Sequence, residues 1–317
     1  MAGMDANSKS RRTGPLALIL VAAIGAILFP VQAVAEPPAK MRLVLLGTGN
    51  PNPEPERSGP SVAIVVGEDS YIIDFGPGVV RRATAANRRH NLAALSARNL
   101  KFGLLTHLHS DHTAGFPDLM LTPWVMEREV PLRVFGPPGT TAMTAHIVKA
   151  YEADIRNRID GLQPATENGW RVRAEDVSEG LVFEDENIRI EAFEVCHGEW
   201  KVALGYRFTS RDWVIVISGD TTSCPNLVKW ARNANILLHE VYSQRAFEEL
   251  PADWQRYHRA AHTSAPDLAR IAAEVRPGLL VLYHQIYWFE ATDKEILAEI
   301  KRIYKGPVVA GRDLDIF

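Results

Sequence analysis

The stretch Thr106-His107-Leu108-His109-Ser110-Asp111-His112 follows the apolar run Phe102-Gly103-Leu104-Leu105, and its reading decides the fold. It spells H-x-H-x-D-H. Three imidazoles and a carboxylate within six positions do not suit a packed apolar core, where unpaired polar groups are costly. Residues two apart on an extended segment point the same way, so His107 and His109 can grip one ion. A turn after Ser110 redirects Asp111 and His112 towards a second. With no thiolate in the run, the donors suit zinc or a similar divalent ion rather than an iron–sulfur cluster or a four-cysteine site. A His-rich surface loop is the plain alternative, and the ligands supplied further along the chain argue against it.

The chain has 317 residues, of which 46% are apolar, enough for one large layered body. Its amino terminus differs from the rest. Lys9, Arg11 and Arg12 precede an apolar stretch from Pro15 to Phe29, and small residues then end in Ala33-Val34-Ala35. A basic start, an apolar middle and an A-x-A end describe a secretory signal peptide over residues 1–35, with an uncleaved anchor as the alternative. The folded body is therefore expected over 36–317, in the periplasm or outside the cell. Lys and Arg number 35 against 38 Asp and Glu. Removing residues 1–35 leaves 32 against 37, a net charge of −5. A mildly acidic body argues against nucleic acid as the main partner. Cys196 and Cys224 are too few to define a disulfide framework, and burial as small apolar side chains is the default expectation.

From Met41 the pattern is strand, turn and helix repeated, which predicts sheets covered by helices in a layered α/β arrangement. Strands are expected over Met41–Leu46, Ser61–Val66, Tyr71–Ile73 and Pro131–Phe135, and in the second half over Ile188–Val195, Val202–Phe208, Trp213–Ile217, Ile236–Leu238 and Leu279–Leu282. Helices are expected over Thr140–Ile159, Ala265–Ala273 and Asp293–Ile303, and residues 161–180 read as an irregular insertion. His197, Asp220 and His284 each follow an apolar strand directly. Singly, each is an ordinary strand-end polar residue; beside the H-x-H-x-D-H run they form a ligand set.

With these motifs the chain resembles the metallo-β-lactamase superfamily, in particular its ribonuclease Z-like branch and the related exported arylsulfatases. The residues that carry this are Gly47-Thr48-Gly49, Asp74-Phe75-Gly76-Pro77-Gly78, Gly136-Pro137-Pro138-Gly139-Thr140, Ser218-Gly219-Asp220-Thr221, His239-Glu240 and His262-Thr263-Ser264. The resemblance implies an αββα sandwich with two divalent ions, zinc or alternatively manganese, at one edge of the sheets. On that pattern His107, His109 and His197 hold the first ion and Asp111, His112 and His284 the second. Asp220 bridges them, and Asp74 supports the loop from behind. Asp111, Glu240 and His262 are the expected catalytic residues. Glu240 would orient His262 and raise its pKa, and His262 would protonate the leaving oxygen. Two ions about 3.5–4 Å apart can acidify a shared water and aim it at an ester.

The comparable region of ribonuclease Z is a basic arm, whereas Tyr151 to Gly180 mixes Arg156, Arg158, Arg171 and Arg173 with Glu152, Asp154, Asp160, Glu167, Glu175 and Asp176. Together with export and net charge, this leads the sequence to an exported hydrolase of small aryl sulfate esters. The alternatives are a ribonuclease Z-like phosphodiesterase, a lactonase, or a metal-holding scaffold without turnover. A small anionic ester is the expected partner, and a homodimer is compatible with the pattern. Trp124, Trp200 and Trp288 are candidates for an aromatic pocket.

Overall fold

The computed structural model describes residues 41–211 and 213–317. The signal peptide expected over 1–35 lies outside the described residues. Two sheets form the middle of the body. In the first, β1 (Arg42–Gly47), β2 (Ser61–Val66) and β3 (Asp69–Ile73) run antiparallel, and β4 (Phe102–Leu104), β5 (Leu132–Gly136) and β6 (Val172–Asp176) add in parallel. In the second, β7 (Gly180–Glu184), β8 (Arg189–Val195), β9 (Ala203–Ser210) and β10 (Trp213–Ile217) are antiparallel. The strands β11 (Ile236–Tyr242), β12 (Leu279–Ile286) and β13 (Val308–Ala310) continue from β10 in parallel.

Strand periodicity explains the layering. Along β1, Leu43 and Leu45 join Ile64, Leu204, Tyr206, Ile217 and Val281 between the sheets. Val44 and Leu46 point the other way, against Val79 and Ala83 of the helix Val79–His90. The outer face of the second sheet likewise packs on the helices Ala265–Val275 and Asp293–Ile303. Strands buried on both faces read as continuous apolar runs, which is why they were visible in the sequence. The result is the αββα sandwich that the resemblance implies.

Three elements differ from expectation. The helix expected over Thr140–Ile159 breaks at Tyr151 into Thr140–Ala150 and Glu152–Asp160. The segment 161–180 contains β6, held to β5 by backbone pairing while most of its side chains face outward, so it carries no apolar alternation. Cys196 and Cys224 are joined as a disulfide with Cα atoms 5.9 Å apart, and Cys196 is exposed rather than buried.

Arg128 gave no signal in the sequence, yet it is a main tie of the first half. Its guanidinium is fully buried without a carboxylate, and it donates to the carbonyls of Leu100, Leu119, Met120 and Gly169 at 2.7–3.2 Å. Burial lowers its pKa to about 10. Arg128→Met should strip four buried carbonyls of their donor and cost about 3 kcal/mol or more. Urea unfolding monitored by circular dichroism checks this; an unchanged midpoint would show that the network contributes nothing.

Candidate metal centre

The chemistry-bearing side chains gather at one edge of the sandwich, most of them just beyond strand ends or at strand irregularities, and His262 at the end of the helix Ala252–Ala261. Beyond β4, His107 and His109 face each other with Nε2 and Nδ1 3.0 Å apart. A single helical turn, Ser110–Thr113, then redirects Asp111 and His112, as the motif predicts. His197 follows β8, and its Nε2 lies 3.2 Å from His109 Nδ1. Asp220 follows β10 through Gly219, whose φ of +63° suits glycine; a Cβ there would meet the Leu204 carbonyl at 2.7 Å.

His284 departs from the expected strand end. It lies inside β12, where the pairing with β11 shifts register between His239 and Val241, and it has φ +44°. The two residues Tyr283 and His284 stand opposite Glu240, which is a bulge that re-aims His284 into the centre. Its Nε2 is 3.3 Å from Asp111 Oδ2 and 3.4 Å from Asp220 Oδ2. Asp220 Oδ2 also lies 3.4 Å from His112 Nε2 and 3.9 Å from His107 Nε2, so this one oxygen faces both halves of the cluster.

Second partners orient the rings. Asp74, itself in the left-handed region, accepts from the Thr106 amide and hydroxyl and lies 2.8 Å from His112 Nδ1. His197 Nδ1 donates to the Ala261 carbonyl at 2.7 Å, which leaves Nε2 as a lone pair aimed inward. Burial lowers the pKa of His109 and of His197 to about 4, and that of His107 further, so these imidazoles are neutral donors. Burial alone would also lower His112, but Asp220 and Asp74 outweigh it and push the group up. Burial would raise Asp220, yet His284 and His112 hold it well below the usual carboxylate range.

These side chains fit divalent ions. His107, His109 and His197 present ligand atoms within 4.8 Å of one another, as do Asp111, His112 and His284, and His107, His112 and Asp220. The buried atoms His112 Nε2 and Asp220 Oδ1 have no hydrogen-bond partner in the protein, although such atoms are almost always satisfied. Nitrogen and carboxylate donors of this kind suit zinc or manganese.

Glu240 and His262 lie at the rim, as expected, with His262 Nδ1 3.4 Å from Glu240 Oε1. The expected electrostatics need correction. Burial and Asp220 push the Glu240 carboxyl well above its ordinary range, and burial takes His262 down to about 4. Glu240 is anchored by the Thr263 amide at 2.8 Å, which sets its carboxyl beside the His262 ring. Of the three tryptophans singled out, Trp124 is core, with its N–H on the Thr166 carbonyl. Trp200 and Trp288 each line a cleft beside the centre. Trp254, Tyr257 and His258 line the same clefts and were missed, because they sit on a helix, Ala252–Ala261, that the sequence did not reveal.

A family model described as a beta-lactamase superfamily domain matches residues 70–285. The chain belongs to that superfamily. Ribonuclease Z of Mycolicibacterium gilvum is 32% identical over 249 residues, covering 78% of this chain and 84% of that protein. Ribonuclease Z of Mycolicibacterium paratuberculosis is 30% identical over 283 residues, covering 86% and 96%. In fold, the chain is similar to the metallo-beta-lactamase fold protein YhfI of Bacillus subtilis, with a TM-score of 0.68 at 17% identity over 89% of this chain and 99% of that one. Human tRNase Z, short form, gives 0.60 at 20% identity over 87% and 98%. The chain is thus a metal-dependent hydrolase of ester bonds in the ribonuclease Z-like branch, while the arylsulfatase likeness rests on sequence motifs alone.

The ribonuclease relatives overturn the expectation that nucleic acid is an unlikely partner and a small anionic ester the likelier one. Net charge averages over the whole surface and does not register the local make-up of the clefts at the centre, one of which sets Lys201 and Arg256 beside Glu199 and Asp253.

Asp74→Asn should weaken zinc binding by about 10–100-fold through loss of ring orientation at His112. His112→Ala should lose one of two ions. Metal content after dialysis and chelator competition read both; wild-type zinc content in both variants would refute the ligand set.

Proposed function

We propose that this protein is an exported phosphodiesterase that cleaves RNA. The observation that carries the reading is the Glu240–His262 pair beside the clustered histidines and aspartates, in a chain whose relatives are named ribonuclease Z. In this reading His107, His109 and His197 would hold one divalent ion and Asp111, His112 and His284 a second, with Asp220 between the two groups. Such ions polarise the phosphoryl group and make water a competent nucleophile at neutral pH.

The chain's own residues do the rest. Glu240 Oε1 lies 3.4 Å from His262 Nδ1 and faces the ring on that side. That leaves Nε2 as the nitrogen that can reach the departing oxygen. As negative charge grows on the attacked phosphorus centre, the cationic form of His262 becomes more favourable, so the proton moves from the pair to the leaving group when it is needed. A sulfate ester offers a similar tetrahedral anion, but the ribonuclease relatives support phosphodiesters over aryl sulfates. The Cys196–Cys224 disulfide supports the exported part of the reading, because such bonds persist in oxidising compartments.

His262→Ala, with zinc content intact, should lower kcat on an RNA oligonucleotide by about 10²–10⁴-fold. The loss should shrink on bis(p-nitrophenyl) phosphate, whose leaving group needs no proton. An equal loss on both substrates would remove His262 from the role of proton donor.

A further inference from the structure

The helix Ala252–Ala261 stands between two clefts that open on the centre, and the two differ in chemistry. One, of about 860 Å³, has His109, His197, Trp200 and Lys201 in its wall, together with Glu199 and an Arg256 paired to Asp253. The other, of about 810 Å³, runs past His262 and is lined by Leu250, Trp254, Tyr257, His258, Ile286 and Trp288. Both volumes are in the range of small-molecule sites. The second cleft has no Lys or Arg in its wall, so nothing there neutralises a phosphate. It offers ring faces instead. The Trp254 and His258 rings are nearly parallel at 5.7 Å, and His258 meets Trp288 at 4.5 Å. Trp254 is 56% exposed and Tyr257 42%, large apolar surface left in water directly beside a hydrolytic centre. At the mouth lies the exposed side chain of Asn52, which can pair with the polar edge of a ring.

We infer that the cleft lined by Trp254, Tyr257 and Trp288 is a base subsite that takes an unpaired nucleobase by stacking. The inference rests on the phosphodiesterase reading for its choice of side: the cleft opens at His262, so the base it receives belongs to the departing nucleoside. The phosphate-bearing remainder of the strand lies along the other cleft, beside Lys201. Base–aromatic stacking needs no basic arm, because every base has a π-face. This accounts for an RNA-cleaving chain whose body is acidic.

Isothermal titration of the zinc-loaded protein with AMP and with ribose 5-phosphate tests the subsite without turnover. AMP should bind at least about tenfold more tightly than ribose 5-phosphate. Trp254→Ala, at an exposed position that should not disturb folding, should bring the two to parity, and Trp254→Phe should restore most of the difference. Equal affinities in the wild type, or phenyl phosphate binding as tightly as AMP, would overturn the base assignment. In cleavage, an abasic residue on the leaving side of the scissile bond should raise KM by a similar factor, with no further rise in Trp254→Ala. Intact cleavage that ignores both changes refutes the subsite alone. Cleavage of no RNA by the wild type refutes the phosphodiesterase reading, and the AMP titration still decides the subsite.

Discussion

One buried carboxylate oxygen, Asp220 Oδ2, faces His107, His112 and His284 at 3.4–3.9 Å, and the rest of the centre is arranged around it. A negative charge in so dry a place is tolerable only when cationic or metal partners surround it. His112 and His284, whose pKa values Asp220 raises, face it. The Thr106–His112 loop hangs from Asp74, the bulge in β12 turns His284 inward, and the Ala261 carbonyl fixes His197. These anchors belong to different elements, so the site exists only when those elements are packed together.

The same edge divides labour by polarity. Imidazoles and carboxylates occupy the floor, where burial keeps His107, His109 and His197 neutral and available. On one side of the helix Ala252–Ala261 the cleft wall mixes Lys201 and Arg256 with Glu199 and Asp253, while on the other it is mostly aromatic and apolar. A whole-chain net charge cannot register that difference, which is why the acidic composition misled about nucleic acid.

Much of the layered fold was legible because strands buried on both faces leave long apolar runs, and helices such as Asp293–Ile303 carry their own periodicity. Elements stabilised by backbone pairing or by a single polar anchor left no such trace. The strand β6 shows the first case and Arg128, bonded only to carbonyls, the second. The helix bearing Trp254 and Tyr257 was missed because its face is mostly solvent-exposed.

By itself the sequence determined the kind of chemistry: H-x-H-x-D-H, with His197, Asp220 and His284 after apolar strands, specifies a hydrolytic metal centre, because donor identity and strand periodicity are local properties. Only the tertiary structure decided how that centre is tuned and what it faces. The raised pKa of Glu240, the re-aimed His284, the Cys196–Cys224 disulfide and the two unlike clefts all depend on burial and on contacts between segments far apart in the chain. Desolvation and proximity arise only when those segments pack, so no residue carries them alone.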